Sequence, residues 1–147
     1  LGAIGAGFVK IKKGYLAGAL ILLFLAIFYA HPFGRESFMY PWLHIFAVII
    51  AFSPLASIAG SSFRSSKITK SMLTLGIIIS IFVGVLSDHI AGSSIAIWYF
   101  SPYLTPEIWN FTMYVYPIER AIAMILTFII VAPVYYGLKR AGFIEPI

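Results

Sequence analysis

Residues 15–30 read YLAGALILLFLAIFYA, an apolar run without a charge that stops at His31-Pro32-Phe33-Gly34. A helix crossing a bilayer needs roughly 20 predominantly apolar residues, so this run is a slightly short but usable span. Three similar stretches follow. Residues 41–60 open on Pro41, which suits a first helical turn, and Ser53-Pro54 in their second half predicts a kink. Residues 71–87 follow the polar run Ser61-Ser62-Phe63-Arg64-Ser65-Ser66-Lys67 and close on Asp88-His89, with Gly92-Ser93-Ser94 as a break. Residues 117–138 start at Pro117, contain Pro133 and leave through Gly137-Leu138-Lys139-Arg140.

Composition agrees. The chain has 147 residues, 61% of them hydrophobic and 10% charged, with a mean hydropathy of +0.99. A soluble domain carries about 25% charged residues, so this chain cannot cover its surface with polar groups. The expected class is all-α: a single integral-membrane domain over residues 1–147, a polytopic helix bundle of four spans with a long connection at 88–116. No room is left for a large soluble catalytic domain. The absence of cysteine removes disulfides, thiolate metal sites and iron–sulfur clusters.

The charges give an orientation. Lys10, Lys12 and Lys13 precede the first span, Arg64, Lys67 and Lys70 separate the second from the third, and Lys139 and Arg140 follow the fourth. The alternate connections hold only Arg35 and Arg120 among basic residues, together with Glu36, Asp88, Glu107 and Glu119; Glu145 is the acidic exception at the basic side. The positive-inside rule then predicts both termini cytoplasmic and loops 31–40 and 88–116 outside, in a cell membrane. The net charge of +5 is an orientation signal. Lysines spread over short loops do not make a nucleic-acid surface, so no nucleic-acid partner is expected.

Every histidine and most acidic residues fall near the outer ends of the spans, and no ionisable residue lies mid-span, which argues against a transmembrane ion relay. The segment 88–116 is rich in aromatics, among them Trp98, Tyr99, Tyr103, Trp109, Tyr114 and Tyr116. These rings suit an interfacial belt, and equally a lid over an outward pocket. Asp88-His89 and Glu119-Arg120 close and open consecutive spans. Asp88 and Arg120 can form an ion pair that locks the two spans, or Arg120 can anchor a ligand carboxylate while Asp88 or Glu119 accepts from its donor groups. His44 and His89 match in depth and could converge on a metal or haem, but no His-x-x-x-His, Glu-x-x-His or haem-attachment motif accompanies them, and no metal or cofactor is expected. Without a Gly-x-Ser-x-Gly motif, enzyme activity is not expected either. Small residues at Ala3 and Gly7, Gly14 and Gly18, Ala47 and Ala51, and Ala56 and Gly60 allow close helix approach, within the bundle or against another membrane subunit.

Three segments carry a family resemblance: Gly84-Val85-Leu86-Ser87-Asp88-His89-Ile90-Ala91-Gly92, Tyr116-Pro117-Ile118-Glu119-Arg120, and Pro133-Val134-Tyr135-Tyr136-Gly137-Leu138-Lys139-Arg140-Ala141-Gly142. Their character resembles the substrate-binding S component of energy-coupling factor (ECF) vitamin transporters, especially the archaeal type. The resemblance implies a small non-enzymatic helical bundle that holds a vitamin or related micronutrient near its outer face. Carried onto this chain, the binding residues would be Asp88, His89, Trp98, Trp109, Glu119 and Arg120. The face docking on a coupling subunit, itself driven by ATPases, would be Ala3 with Gly7 or Gly14 with Gly18. The family ordinarily has six spans, so the resemblance also implies two helices ahead of Leu1. Two other readings stand beside it: an accessory subunit of a larger membrane complex, and a haem- or quinone-binding subunit using His44 and His89.

Overall fold

The computed structural model describes residues 1–64 and 69–144; Lys67 and Glu145 lie outside the described residues. Seven helices account for most of them: α1 (Gly2–Lys10), α2 (Gly14–Ala30), α3 (Pro32–Glu36), α4 (Trp42–Phe52), α5 (Pro54–Arg64), α6 (Lys70–Tyr99) and α7 (Pro106–Arg140). Among the described residues there is no strand. Two helices, α6 and α7, are long and apolar enough to cross a membrane, and a third span exists if the bent pair α4–α5 counts as one. Helix α2, at 17 residues, is apolar but shorter.

The chain breaks where its chemistry requires. Helix α1 ends in a Schellman turn: Lys12 adopts φ 63°, its N–H donates to the Val9 carbonyl at 3.0 Å, and the Lys13 N–H donates to the Phe8 carbonyl at 2.8 Å. That turn throws α2 back along the bundle. Gly60 of α5 packs directly on it, since a Cβ there would stand 2.5 Å from the Val9 carbonyl oxygen. The kink expected at Ser53-Pro54 is present, a bend of 61° between α4 and α5. Pro54 has no N–H to continue the ladder, and Ser53 Oγ takes up the slack by donating to the Ile50 carbonyl and accepting from the Leu55 N–H.

Helix α6 forms the spine. Its buried face carries Gly76, Ser80, Gly84, Ser87, Ala91 and Ser94, small residues that let α1, α2, α4 and α5 approach closely. Gly84 meets α1 so tightly that a Cβ would lie 2.7 Å from the Gly2 carbonyl oxygen and 3.1 Å from Ala6 Cβ. Bulky residues fill the spaces between: Val9, Ile21, Leu25, Val83, Leu86 and Ile90 form the main core.

Two expectations are corrected here. Residues 88–116 are not one long connection: α6 runs on to Tyr99, α7 begins at Pro106, and the link is residues 100–105. Gly92-Ser93-Ser94 does not break α6, because Ser93 Oγ and Ser94 Oγ donate back to the His89 and Ile90 carbonyls and so sit comfortably inside the helix. Pro117 is interior to α7 rather than at its start, because that helix already begins at Pro106. The second correction concerns Gly14 and Gly18. A Cβ on Gly14 would lie 2.6 Å from Ala56 Cβ, and one on Gly18 would lie 2.5 Å from the Phe52 ring, so this face is filled by α4 and α5 and is not free to dock a partner.

Candidate functional site

Helices α6 and α7 run antiparallel to the short link, so residues late in α6 face residues early in α7. Asp88 lies 18 residues beyond Lys70, and Arg120 lies 20 residues before Arg140. At 1.5 Å per residue these are about 27 Å and about 30 Å, so the two stand at matching heights above the basic end of the bundle. Between them and the link is a cavity of about 440 Å³. Asp88, His89, Trp109, Glu119 and Arg120 all border it, with Tyr40, Ser93 and Thr112. Five of the six residues expected to bind a ligand therefore share one cavity.

Trp98 is the exception. Its indole N–H donates to the Ile27 carbonyl at 3.1 Å and its ring meets His31 edge-on, so it fastens α6 to the end of α2, away from the cavity. Asp88 and Arg120 do not pair in this structure. Arg120 Nη2 instead contacts the carboxylate of its neighbour Glu119, and the exposed Asp88 carboxylate lies 3.6 Å from the Leu1 amino group, so Leu1 stands at the height of the cavity and not at the basic end where both termini were expected.

Behind the cavity stands an aromatic wall. Tyr40, from the turn before α4, is 1% exposed and sits among Phe28, Trp109 and Tyr116. Its ring stacks on Phe28 and meets Trp109 edge-on with centroids 4.7 Å apart. Burial pushes the Tyr40 phenol up to about 12, so it remains a hydroxyl at any physiological pH. That hydroxyl lies 2.8 Å from Ser93 Oγ and 3.4 Å from His89 Nε2. His89 Nδ1 in turn lies 3.1 Å from His44 Nε2, with the two imidazoles stacked.

One direction of donation fits the whole chain. Ser93 donates to the His89 carbonyl at 2.9 Å, which leaves its oxygen to accept from Tyr40. Tyr40 then accepts from His89 Nε2–H, and His89 Nδ1 accepts from His44 Nε2–H. Both imidazoles are neutral in this arrangement. Their facing nitrogens are spent on each other, and Tyr116 stacks across both rings. Tyr116 is itself fixed by the Leu43 N–H, which donates to its hydroxyl at 3.2 Å.

Two residues that border the cavity carry buried donors without partners: Trp109 Nε1, on a residue 6% exposed, and Arg120 Nε. A buried donor without an acceptor loses about 1–3 kcal/mol relative to a satisfied one. The arrangement can therefore hold a small molecule that brings acceptors to Trp109 and Arg120 and presents donors to the Asp88 and Glu119 carboxylates.

Tyr40, Ser93 and Thr112 were not among the expected site residues. The spacing of Tyr40 and His44, four apart, was the available signal for Tyr40; Ser93 was hidden by its resemblance to a helix breaker. Ala3 and Gly7 border a different, larger cleft between α1, α6 and α7. Compared with known proteins, the chain matches no family model, no curated protein and no solved structure.

Proposed function

We propose that the protein is a membrane-embedded, non-enzymatic substrate-binding subunit of a micronutrient uptake transporter, resembling the ECF S component, which captures its ligand at the outer face of the cell membrane. The observation that carries this reading is the 440 Å³ cavity bordered by Asp88, His89, Trp109, Glu119 and Arg120, with the Trp109 and Arg120 donors unpartnered. A ligand with a carboxylate or carbonyl matches those donors, and the rim carboxylates favour a cationic or hydrogen-bond-donating group elsewhere on it.

Orientation is supported by charge. Lys10, Arg64, Lys70, Lys139 and Arg140 gather at the end opposite the cavity: Arg64 donates to the Ile11 carbonyl, and Lys70, Lys139 and Arg140 border one cleft with Tyr136. With that end cytoplasmic, a hydrocarbon layer about 30 Å thick brings Asp88 and Arg120 to its outer boundary. On this reading 15–30, 41–60, 71–87 and 117–138 are the four spans, and the ends of α6 and α7 stand above the bilayer with Trp98, Tyr99, Tyr103 and Tyr114 as interfacial anchors.

Equilibrium binding of a vitamin panel to the detergent-purified chain tests the proposal. Saturable binding of an acidic or carbonyl-bearing member, weakened in Trp109→Phe, supports it; no binding across the panel rejects it. A second reading, an accessory subunit of a larger membrane complex, draws on α7, whose most apolar stretch is only 6% buried. Co-purification with a neighbour at fixed stoichiometry would favour that one.

A further inference from the structure

Lys70 opens α6, and Lys139 and Arg140 close α7. The antiparallel pairing of the two helices brings all three cations to one cleft of about 580 Å³ at the basic end of the bundle. Tyr136, one turn before Arg140, fixes the contact: its hydroxyl lies 2.7 Å from Thr74 Oγ1 and 3.3 Å from the Lys70 carbonyl oxygen. Thr74 Oγ1 donates to that same carbonyl at 2.9 Å. The two hydroxyls thus satisfy each other and the backbone, and the charges are what the cleft offers a ligand.

Those charges are unfavourable as they stand. The first turn of a helix favours a carboxylate, yet that of α6 holds Lys70 and no acidic residue. Lys139 and Arg140 suit the C-terminus of α7, but beside Lys70 they add like charge to like charge. Among the described residues no carboxylate offsets them. Glu36, Asp88, Glu107 and Glu119 lie in α3, late in α6 and in the first half of α7, toward the other end, and the two ion pairs are Leu1 with Asp88 and Arg120 with Glu119.

We propose that this cleft binds the phosphate group of an anionic ligand, either a bilayer lipid headgroup or a free phosphate compound. A carboxylate has two oxygens for three cations. A phosphate has enough to engage the Arg140 fork through two of them and still meet both lysines, at the positive end of the α6 dipole. Lys70 and Arg140 stand about 27 Å and about 30 Å along their helices from Asp88 and Arg120, close to the thickness of a hydrocarbon layer. With the bundle in a bilayer, as proposed above, the cleft therefore lies at the headgroup layer opposite the cavity. It shares no residue with that cavity, so the titration below and the vitamin titration can fail separately.

The test takes the purified full chain in detergent, titrated with fluorescently labelled phosphatidylglycerol and with the same label on phosphatidylcholine, and dialysed separately against radiolabelled inorganic phosphate. Phosphatidylglycerol binding at least about tenfold tighter than phosphatidylcholine assigns the site to a lipid. Saturable inorganic phosphate without that preference assigns it to a free phosphate compound. In either case the double variant Lys139→Gln with Arg140→Gln should weaken binding about tenfold or more. Lys13→Gln, which removes an exposed cation at the same end but outside the cleft, should leave it within about twofold. Neither a lipid preference nor phosphate binding overturns the proposal. So does binding that the double variant leaves unaltered, or that Lys13→Gln weakens as much.

Discussion

Helices α6 and α7 both qualify as spans by length and apolarity, yet the most apolar stretch of α6 is 61% buried within the protein and that of α7 is 6% buried. The difference lies in side-chain size. Helix α6 carries glycine, serine and alanine on the face that meets its neighbours, whereas α7 presents Ile118, Ile122, Ile125, Ile129 and Ile130 outward. In lipid there is no hydrophobic force to bring two helices together, so close backbone approach through small residues decides which helix becomes the spine. Bulky residues serve a face that meets acyl chains or a neighbouring subunit.

The sharpest way to break this comparison is to enlarge a small residue on each helix. Gly84→Leu in α6 would force its side chain into the Gly2 carbonyl and Ala6 of α1, and is expected to destabilise by about 3 kcal/mol or to prevent assembly. Gly137→Leu in α7 meets nothing within 4 Å and should be neutral or stabilising by up to about 1 kcal/mol through helix propensity. Thermal unfolding in detergent, followed by circular dichroism, reads both; equal effects would refute the assignment of α6 as spine. Truncation comes next. Leu86→Ala removes a fully buried side chain and should cost about 2–3 kcal/mol, while Ile125→Ala on the outward face should stay within about 0.5 kcal/mol.

A finer contrast lies at the site. Tyr40→Phe keeps the ring stacked on Phe28 but removes the hydroxyl that links Ser93 to His89, which should cost about 1 kcal/mol of stability. Phe111→Leu, on an exposed ring of α7, should change unfolding by less than about 0.5 kcal/mol. If Tyr40→Phe proves equally silent, the hydrogen-bonded chain from Ser93 through His89 to His44 does not stabilise this end of the bundle.

Much of this was legible from residues alone, and the limits have physical causes. The membrane-capable helices α6 and α7 could be read because lipid demands apolar composition, and the Ser53-Pro54 bend because proline lacks a donor. Five cavity residues could be read because so few polar groups lie near the span ends. Composition said nothing about which small-residue face meets which helix, so Gly14 and Gly18, packed on Ala56 and Phe52, looked as free to dock as Ala3 and Gly7. Serine was misleading for a different reason. In a loop Ser93 and Ser94 would bond locally and break the helix, but here they bond to carbonyls four residues back and carry α6 through to Tyr99. Tyr40 was missed because its partners, Ser93 and His89, are about fifty residues away in the chain.

The measurement that bears most directly on the central claim is equilibrium titration of the purified chain with the vitamin panel, run in parallel on Trp109→Phe and Arg120→Gln. The account predicts saturable binding of an acidic or carbonyl-bearing small molecule that each substitution weakens about tenfold or more, since each removes a donor from the same cavity. Binding that both variants leave unchanged, or no binding by the intact protein, would contradict it.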